Sequence, residues 1–203
     1  MDPKTIGIIS GLIVGMNAIP YGIRTYQRKI RPNLTSWGLW TFIGFVLLLT
    51  YKSSGAGANV MPAIFGFINP LLITIIILLR RGAWTRPSRL EIVCIVISIF
   101  SLSLWFLSHK NKELSQYALY FAIVADSFAA IPTFAFVWTT PDGDRPLAWI
   151  FFAIGYGIAI FAITEHTFAN YVLPIYMFLG ALGIAYPLAR YQLRKKSSLS
   201  EWI

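Results

Sequence analysis

The chain has 203 residues, of which 57% are hydrophobic and only 12% charged, and its mean hydropathy is +0.65. Globular domains are about 25% charged, so this composition excludes an ordinary soluble domain and points to an integral membrane protein with little mass outside the bilayer. The net charge of +9 does not point to nucleic acid: the basic residues sit in short loops between apolar runs and form no stripe that tracks a phosphate backbone. Cys94 is the single cysteine, which excludes an internal disulfide and a thiolate metal cluster.

Seven segments have the length and apolarity of a membrane-spanning helix, about 20 residues: 5–26, 34–52, 58–79, 90–108, 116–138, 146–164 and 170–191. Span one follows residues 1–4 directly and is read as a membrane helix, not a cleaved leader. It carries Gly7, Gly11 and Gly15 on one face, a spacing that allows close helix packing within the unit or, alternatively, a homo-oligomer interface. Asn17 and Pro20 follow. Span two opens with Trp37 and carries Trp40 about two turns in, where its ring either stacks on a sugar or base or anchors at the interface. Span three has Pro62 near its start and Asn69-Pro70 in its middle. The Asn69 amide suits a polar substrate, or it satisfies the Gly66 carbonyl that Pro70 leaves without a donor. Asn17 offers the same chemistry.

Span four ends near Trp105 and His109. Span five contains Asp126, the sharpest single residue. A charge at the bilayer centre costs at least ~2.5–3.5 kcal/mol, so Asp126 is expected to face the bundle interior, with no basic residue in the same apolar core. It suits a proton, a cation or substrate hydroxyls, or else a structural hydrogen bond to Ser127, Asn17 or a carbonyl freed by a proline. Pro132 and Trp138 follow. Span six opens with Trp149 and carries Phe152; Trp149, like Trp37, Trp105 and Trp138, reads as an interfacial anchor. Glu165 and His166 precede span seven as an outer gate or a solvated pair, and Pro174 and Pro187 lie within that span. The tail is basic and either rests on the anionic leaflet or is solvated. There is no H-x-x-x-H, phosphate-cradling glycine loop or G-x-S-x-G, so no enzyme constellation, metal site or cofactor is expected.

The chain also repeats itself. Ala18-Ile19-Pro20 recurs as Ala130-Ile131-Pro132, Trp37 as Trp149, Val60 as Val172 and Pro62 as Pro174, all at an offset of 112 residues. The repeat pairs the first three spans with the last three and leaves span four as a linker. An odd number of spans per unit plus one linker helix gives two units of the same orientation, a parallel repeat. The expected fold is all-α: seven transmembrane helices as 3+1+3, with a first repeat at 1–82, linker loop and helix at 83–112, a second repeat at 113–194 and a short cytoplasmic tail at 195–203. Pro20 with Pro132, and Pro62 with Pro174, are matched candidates for hinges; the alternative is static kinks. Thirteen of the 17 basic residues fall on one face of this topology and four, Lys4, Lys52, Lys110 and Lys112, on the other. The first face is then cytoplasmic, with the N-terminus outside, the C-terminus inside, and a bacterial inner membrane as the expected location.

This arrangement resembles the SWEET sugar transporters and the wider PQ-loop group. Ala18-Ile19-Pro20-Tyr21 followed by Ser36, Gly38 and Trp40 looks like the PQ-loop signature, with Tyr21 and Thr133 in place of the glutamine that follows the proline. Phe152 stands where Trp40 would repeat. The resemblance implies alternating access around a central site between the units, for a sugar-like or other small metabolite, with Asn69 in the place of a sugar-binding asparagine and Ala181 opposite it. Intramembrane aspartates of proton-coupled relatives give Asp126 a proton-coupling role by the same resemblance. A nicotinamide riboside-type vitamin transporter has a similar topology, and a non-transporting receptor or scaffold is the alternative from another class. The expected substrate-binding set is Trp40, Asn69, Asn17, Asp126 and Phe152, and the expected partners are a small molecule and the lipid bilayer.

Overall fold

The computed structural model describes residues 1–28, 32–81, 84–198 and 201–202, and among these all regular structure is helical. Lys29 and Arg31 of the basic face, and the unit boundary at 82–83, lie outside the described residues.

Span one forms as two helices, α1 (Pro3–Met16) and α2 (Ala18–Tyr26). Asp2 caps the first, accepting from the Thr5 amide at 2.7 Å. The interruption at Asn17 lies three residues before Pro20, which has no N–H and whose ring crowds the carbonyl four residues earlier, that of Met16. Asn17 donates instead to Val14 at 3.3 Å, a tighter turn than the α-helix uses. The next elements are α3 (Leu34–Ser53), capped by Asn33, and α4 (Met61–Leu79), which follows a 3-10 turn at Ala58–Val60. Pro62 sits in the first turn of α4, where a missing N–H costs nothing. Helix α5 (Arg89–Ser108) begins with a capping box in which Ser88 and Glu91 satisfy one another's backbone donors.

Helices α6 (Lys112–Thr139) and α8 (Phe168–Lys195) run unbroken for 28 residues each, through Pro132 and through Pro174 and Pro187 respectively. Helix α7 (Pro146–Ala159) is shorter and is extended by a 3-10 turn at Ile160–Ala162. At 1.5–2.0 Å per residue it reaches about 27 Å, just under the ~30 Å hydrocarbon thickness. The other six helical segments are each long and apolar enough to cross a bilayer. The outward faces carry Leu12, Leu79, Phe106, Leu107 and Phe161, all exposed, as a lipid-facing surface requires.

Helix α4 packs against both α1 and α3, and α8 packs against both α6 and α7. Across the middle of the molecule α1 meets α7 and α3 meets α6, while α5 lies on α6 and α3. Leu39, Ile43, Val46, Leu47, Leu119, Ala122 and Leu173 form the main buried cluster where α3, α6 and α8 converge. The glycine face of α1 is filled from within the chain: a Cβ on Gly7 would lie 2.2 Å from the Ala58 carbonyl oxygen, one on Gly11 3.0 Å from Met61 and one on Gly15 2.8 Å from Phe65. Gly155 of α7 does the same for the α1 seam, with Ser10 and Val14 within 2.8 Å of the missing Cβ. The tail neither floats nor lies apart. Leu147 donates its amide to the Trp202 carbonyl at 3.1 Å, and Lys195 pairs with Glu201 at 3.0 Å, so residues 201–202 fold back onto the start of α7.

Candidate functional site

Five helices, α3, α4, α6, α7 and α8, surround a central cavity of about 290 Å³. Its walls draw on both copies of the repeat: Trp40, Gly44 and Gly66 from the first, Asp126, Phe152 and Tyr176 from the second. Asp126 is 5% exposed and turns into this cavity. The Tyr176 hydroxyl donates to its Oδ2 at 2.8 Å, and this is the one donor to the carboxylate among the described residues. The expected structural partners are not used: Ser127 donates to the Ile123 carbonyl at 2.8 Å, and Asn17 is bound elsewhere. Among the described residues, no lysine, arginine or histidine lines the cavity.

Trp40, Asp126 and Phe152 thus meet around one space, as the sequence suggested for three of its five substrate-binding candidates. Asn69 and Asn17 do not line it. The Asn69 amide donates to the Val14 carbonyl at 2.9 Å and to Asn17 Oδ1 at 3.0 Å. It bridges α4 to the interruption in span one, and it does not take up the alternative bond to the Gly66 carbonyl, because its amide points at the neighbouring helix and away from its own backbone. Asn69 and Asn17, two members of the expected substrate set, are bonded here to each other and to the backbone just before the break.

Four aromatic wall residues escaped sequence reasoning as cavity residues: Phe134, Trp149, Tyr156 and Tyr176. Trp149 lines the cavity while its indole N–H donates to Asp144 Oδ2 at 3.0 Å. The signal was available in its spacing, since residues 149, 152 and 156 fall on one helical face. Their rings form a continuous run, with centroids 6.5 Å apart for Trp149–Phe152 and 4.8 Å apart for Phe152–Tyr156. Tyr176 carried no such signal, because its meeting with Asp126 depends on α8 crossing α6.

Trp40 also walls a second hollow of about 240 Å³, on the seam between α3, α5 and α6 and lined by Ser36, Glu91, Cys94, Pro132 and Thr133. Ser36 donates there to Glu91 Oε1 at 2.9 Å. The end of the bundle bearing the turns at 54–60 and 163–167 is closed by a buried polar net. Tyr51 donates to the Asn170 carbonyl at 2.8 Å, Asn59 donates to the Tyr51 hydroxyl, and Asn170 donates to the Glu165 carbonyl at 2.9 Å. Glu165 pairs with Lys112, and His166 Nδ1 meets the Tyr171 hydroxyl at 2.7 Å, so neither is simply solvated. No three His, Cys, Asp or Glu side chains converge as a metal site among the described residues.

The matched prolines are unequal in effect: the helix is interrupted at Asn17, before Pro20, and continuous at Pro132. No protein-family model, curated protein or solved structure matches this chain.

Proposed function

We propose that this protein is a membrane transporter of a small polar solute that works by alternating access, with residues 1–82 and 113–194 as two three-helix units joined by a linker at 83–112. The observation that carries this reading is the central cavity, whose walls come from both copies of the repeat and which encloses one buried carboxylate, Asp126. The helix pairings support it: in each copy the third span packs on the first and the second, and the copies meet first span to second span, α1 with α7 and α6 with α3. That exchange is what a twofold axis along the membrane normal produces. Such a fold also hosts receptors, and the cavity argues for transport because a midplane site between two like units is where a rocking motion exposes it to either side.

One end of the bundle is closed by the Tyr51, Asn59 and Asn170 net, so the inferred cycle begins with that net opening. The Pro20 and Pro132 regions are the proposed hinges, together with Pro62 and Pro174. Asp126 is the proposed proton-coupling residue, with the Tyr176 hydroxyl as its hydrogen-bond partner. The excess of basic residues on one face supports an N-terminus outside and a C-terminus in the cytoplasm, with a bacterial inner membrane as the proposed location.

The test is uptake into proteoliposomes of the purified protein, with sugars, nucleosides, organic amines and amino acids, each with and without an inward proton gradient. Saturable uptake of one class is expected, and Asp126→Asn is expected to abolish its response to the gradient. Gradient dependence that survives Asp126→Asn removes the coupling role. Specific ligand binding with no flux under any gradient favours the receptor reading.

A further inference from the structure

The walls of the central cavity are unusual in what they leave available. Among the described residues, Asp126, 5% exposed, accepts one hydrogen bond, from Tyr176, and has no cationic side chain in the same space. Buried carboxylates are ordinarily paired with a positive charge or supplied with several donors, because an ion moved out of water loses several kcal/mol of solvation. Independently, the aromatic rings of Trp40, Phe134, Trp149, Phe152 and Tyr156 border the same 290 Å³. The face of an aromatic ring carries negative potential and attracts a cation most strongly where water is excluded.

The polar atoms that a neutral polyol would need are engaged. Tyr156 donates to the Pro62 carbonyl at 3.3 Å, Ser127 to the Ile123 carbonyl and the Trp149 indole to Asp144. A sugar would bury several hydroxyls with few partners, at the cost of an unmatched polar group for each. An anion or a zwitterion would bring a negative group beside Asp126 with no basic residue to meet it.

We propose that the central cavity takes a small organic monocation, with a quaternary or ring nitrogen and no acidic group, whose charge is met by Asp126 and whose body lies against the aromatic walls. The volume is at the lower end of ligand pockets, about 300–1,000 Å³, which restricts the cation to a compact one. This assignment builds on the transporter reading above, narrows its substrate, and is open to separate test.

Full-length protein in detergent is titrated calorimetrically with tetraethylammonium and 1-methyl-4-phenylpyridinium, and with neutral 4-phenylpyridine and glucose as comparisons. Saturable binding of at least one cation is expected, with each neutral compound weaker by about tenfold or more, as the loss of one charge-assisted contact implies. Asp126→Asn is expected to weaken the cation by a similar factor and Asp126→Glu to retain it. Replacing Trp40 or Phe152 by leucine is expected to cost about two- to tenfold. Absence of cation binding, equal binding of 4-phenylpyridine or glucose, or full cation affinity in Asp126→Asn that elutes as the folded monodisperse protein overturns the assignment. The two readings fail separately in proteoliposomes. Saturable uptake of a neutral solute that neither cation inhibits overturns the cation assignment and leaves transport standing. Cation binding without flux leaves the site standing and overturns transport.

Discussion

Spans one and five occupy equivalent places in the repeat and share Ala-Ile-Pro, yet one is interrupted and the other is continuous. The proline is therefore not sufficient to open a helix. What differs is the surroundings. In the first copy Asn69 reaches across from α4 to the Val14 carbonyl and to Asn17, giving the loosened backbone its partners. At the offset of 112 residues, Asn17 corresponds to Ala129 and Asn69 to Ala181, neither of which has an amide. The second copy has its own polar pair, Asp126 with Tyr176, where the first has Val14 and Ile64. One copy uses its buried polar groups to hold a backbone interruption, and the other turns them into the cavity.

The sharpest way to break this comparison is at residues that share a register but have opposite steric needs. Gly7 corresponds to Leu119. Leu119 is fully buried in the main cluster, and Leu119→Ala is expected to cost about 2–5 kcal/mol through the cavity it leaves. Gly7→Ala is expected to cost about 1–3 kcal/mol for the opposite reason, because the new methyl meets the Ala58 backbone and not a yielding side chain. Both are read as loss of melting temperature in detergent. A neutral Gly7→Ala would mean that α1 does not approach the 3-10 turn at Ala58–Val60 as closely as described.

The next largest effect is expected at the asparagine bridge. Asn69→Ala leaves the Val14 carbonyl and the Asn17 side chain without this donor, at about 1–3 kcal/mol. Because the two amides bind each other, Asn17→Ala made in the Asn69→Ala background is expected to add less than it does alone. Additive losses would show that the two side chains act separately.

Replacing each proline by alanine sharpens the contrast in the backbone itself. Pro20→Ala is expected to slow amide hydrogen exchange around residues 16–20 by restoring an α-helical donor there. Pro132→Ala is expected to change exchange in α6 far less, since that helix is already continuous. Equal responses would argue that the interruption at Asn17 is not tied to its proline.

The smallest effect is expected at the tail. The Lys195 ammonium holds the Glu201 carboxyl below its ordinary range. A lowered carboxylate favours the folded tail above the ordinary carboxylate pKa, and its contribution fades as pH falls through the lowered value. The pair is exposed and screened, so Glu201→Gln is expected to leave the melting temperature unchanged at neutral and at acidic pH. A clear drop at neutral pH alone would make the tail's return to α7 a stabilising contact.

Much of this protein was legible in its residues. Length, apolarity and 3.6-residue patterning locate helices because a bilayer requires each spanning segment to satisfy its own backbone hydrogen bonds. The intramembrane position of Asp126 marked it as inward-facing, since lipid offers no partner to a charge. Trp40 and Phe152 were legible as a matched aromatic pair. The roles of Asn17 and Asn69 were not, because the same residues suit a substrate or a backbone carbonyl, and only the approach of α4 to α1 decides between them. Nor was the aromatic wall: Trp149 reads as an interfacial anchor until α7 and α8 turn it inward, and Tyr176 becomes the partner of Asp126 only through the crossing of α8 and α6. Local sequence determines where helices form and which of their groups lack partners. Which partner each group meets is a long-range property, decided by how the helices cross.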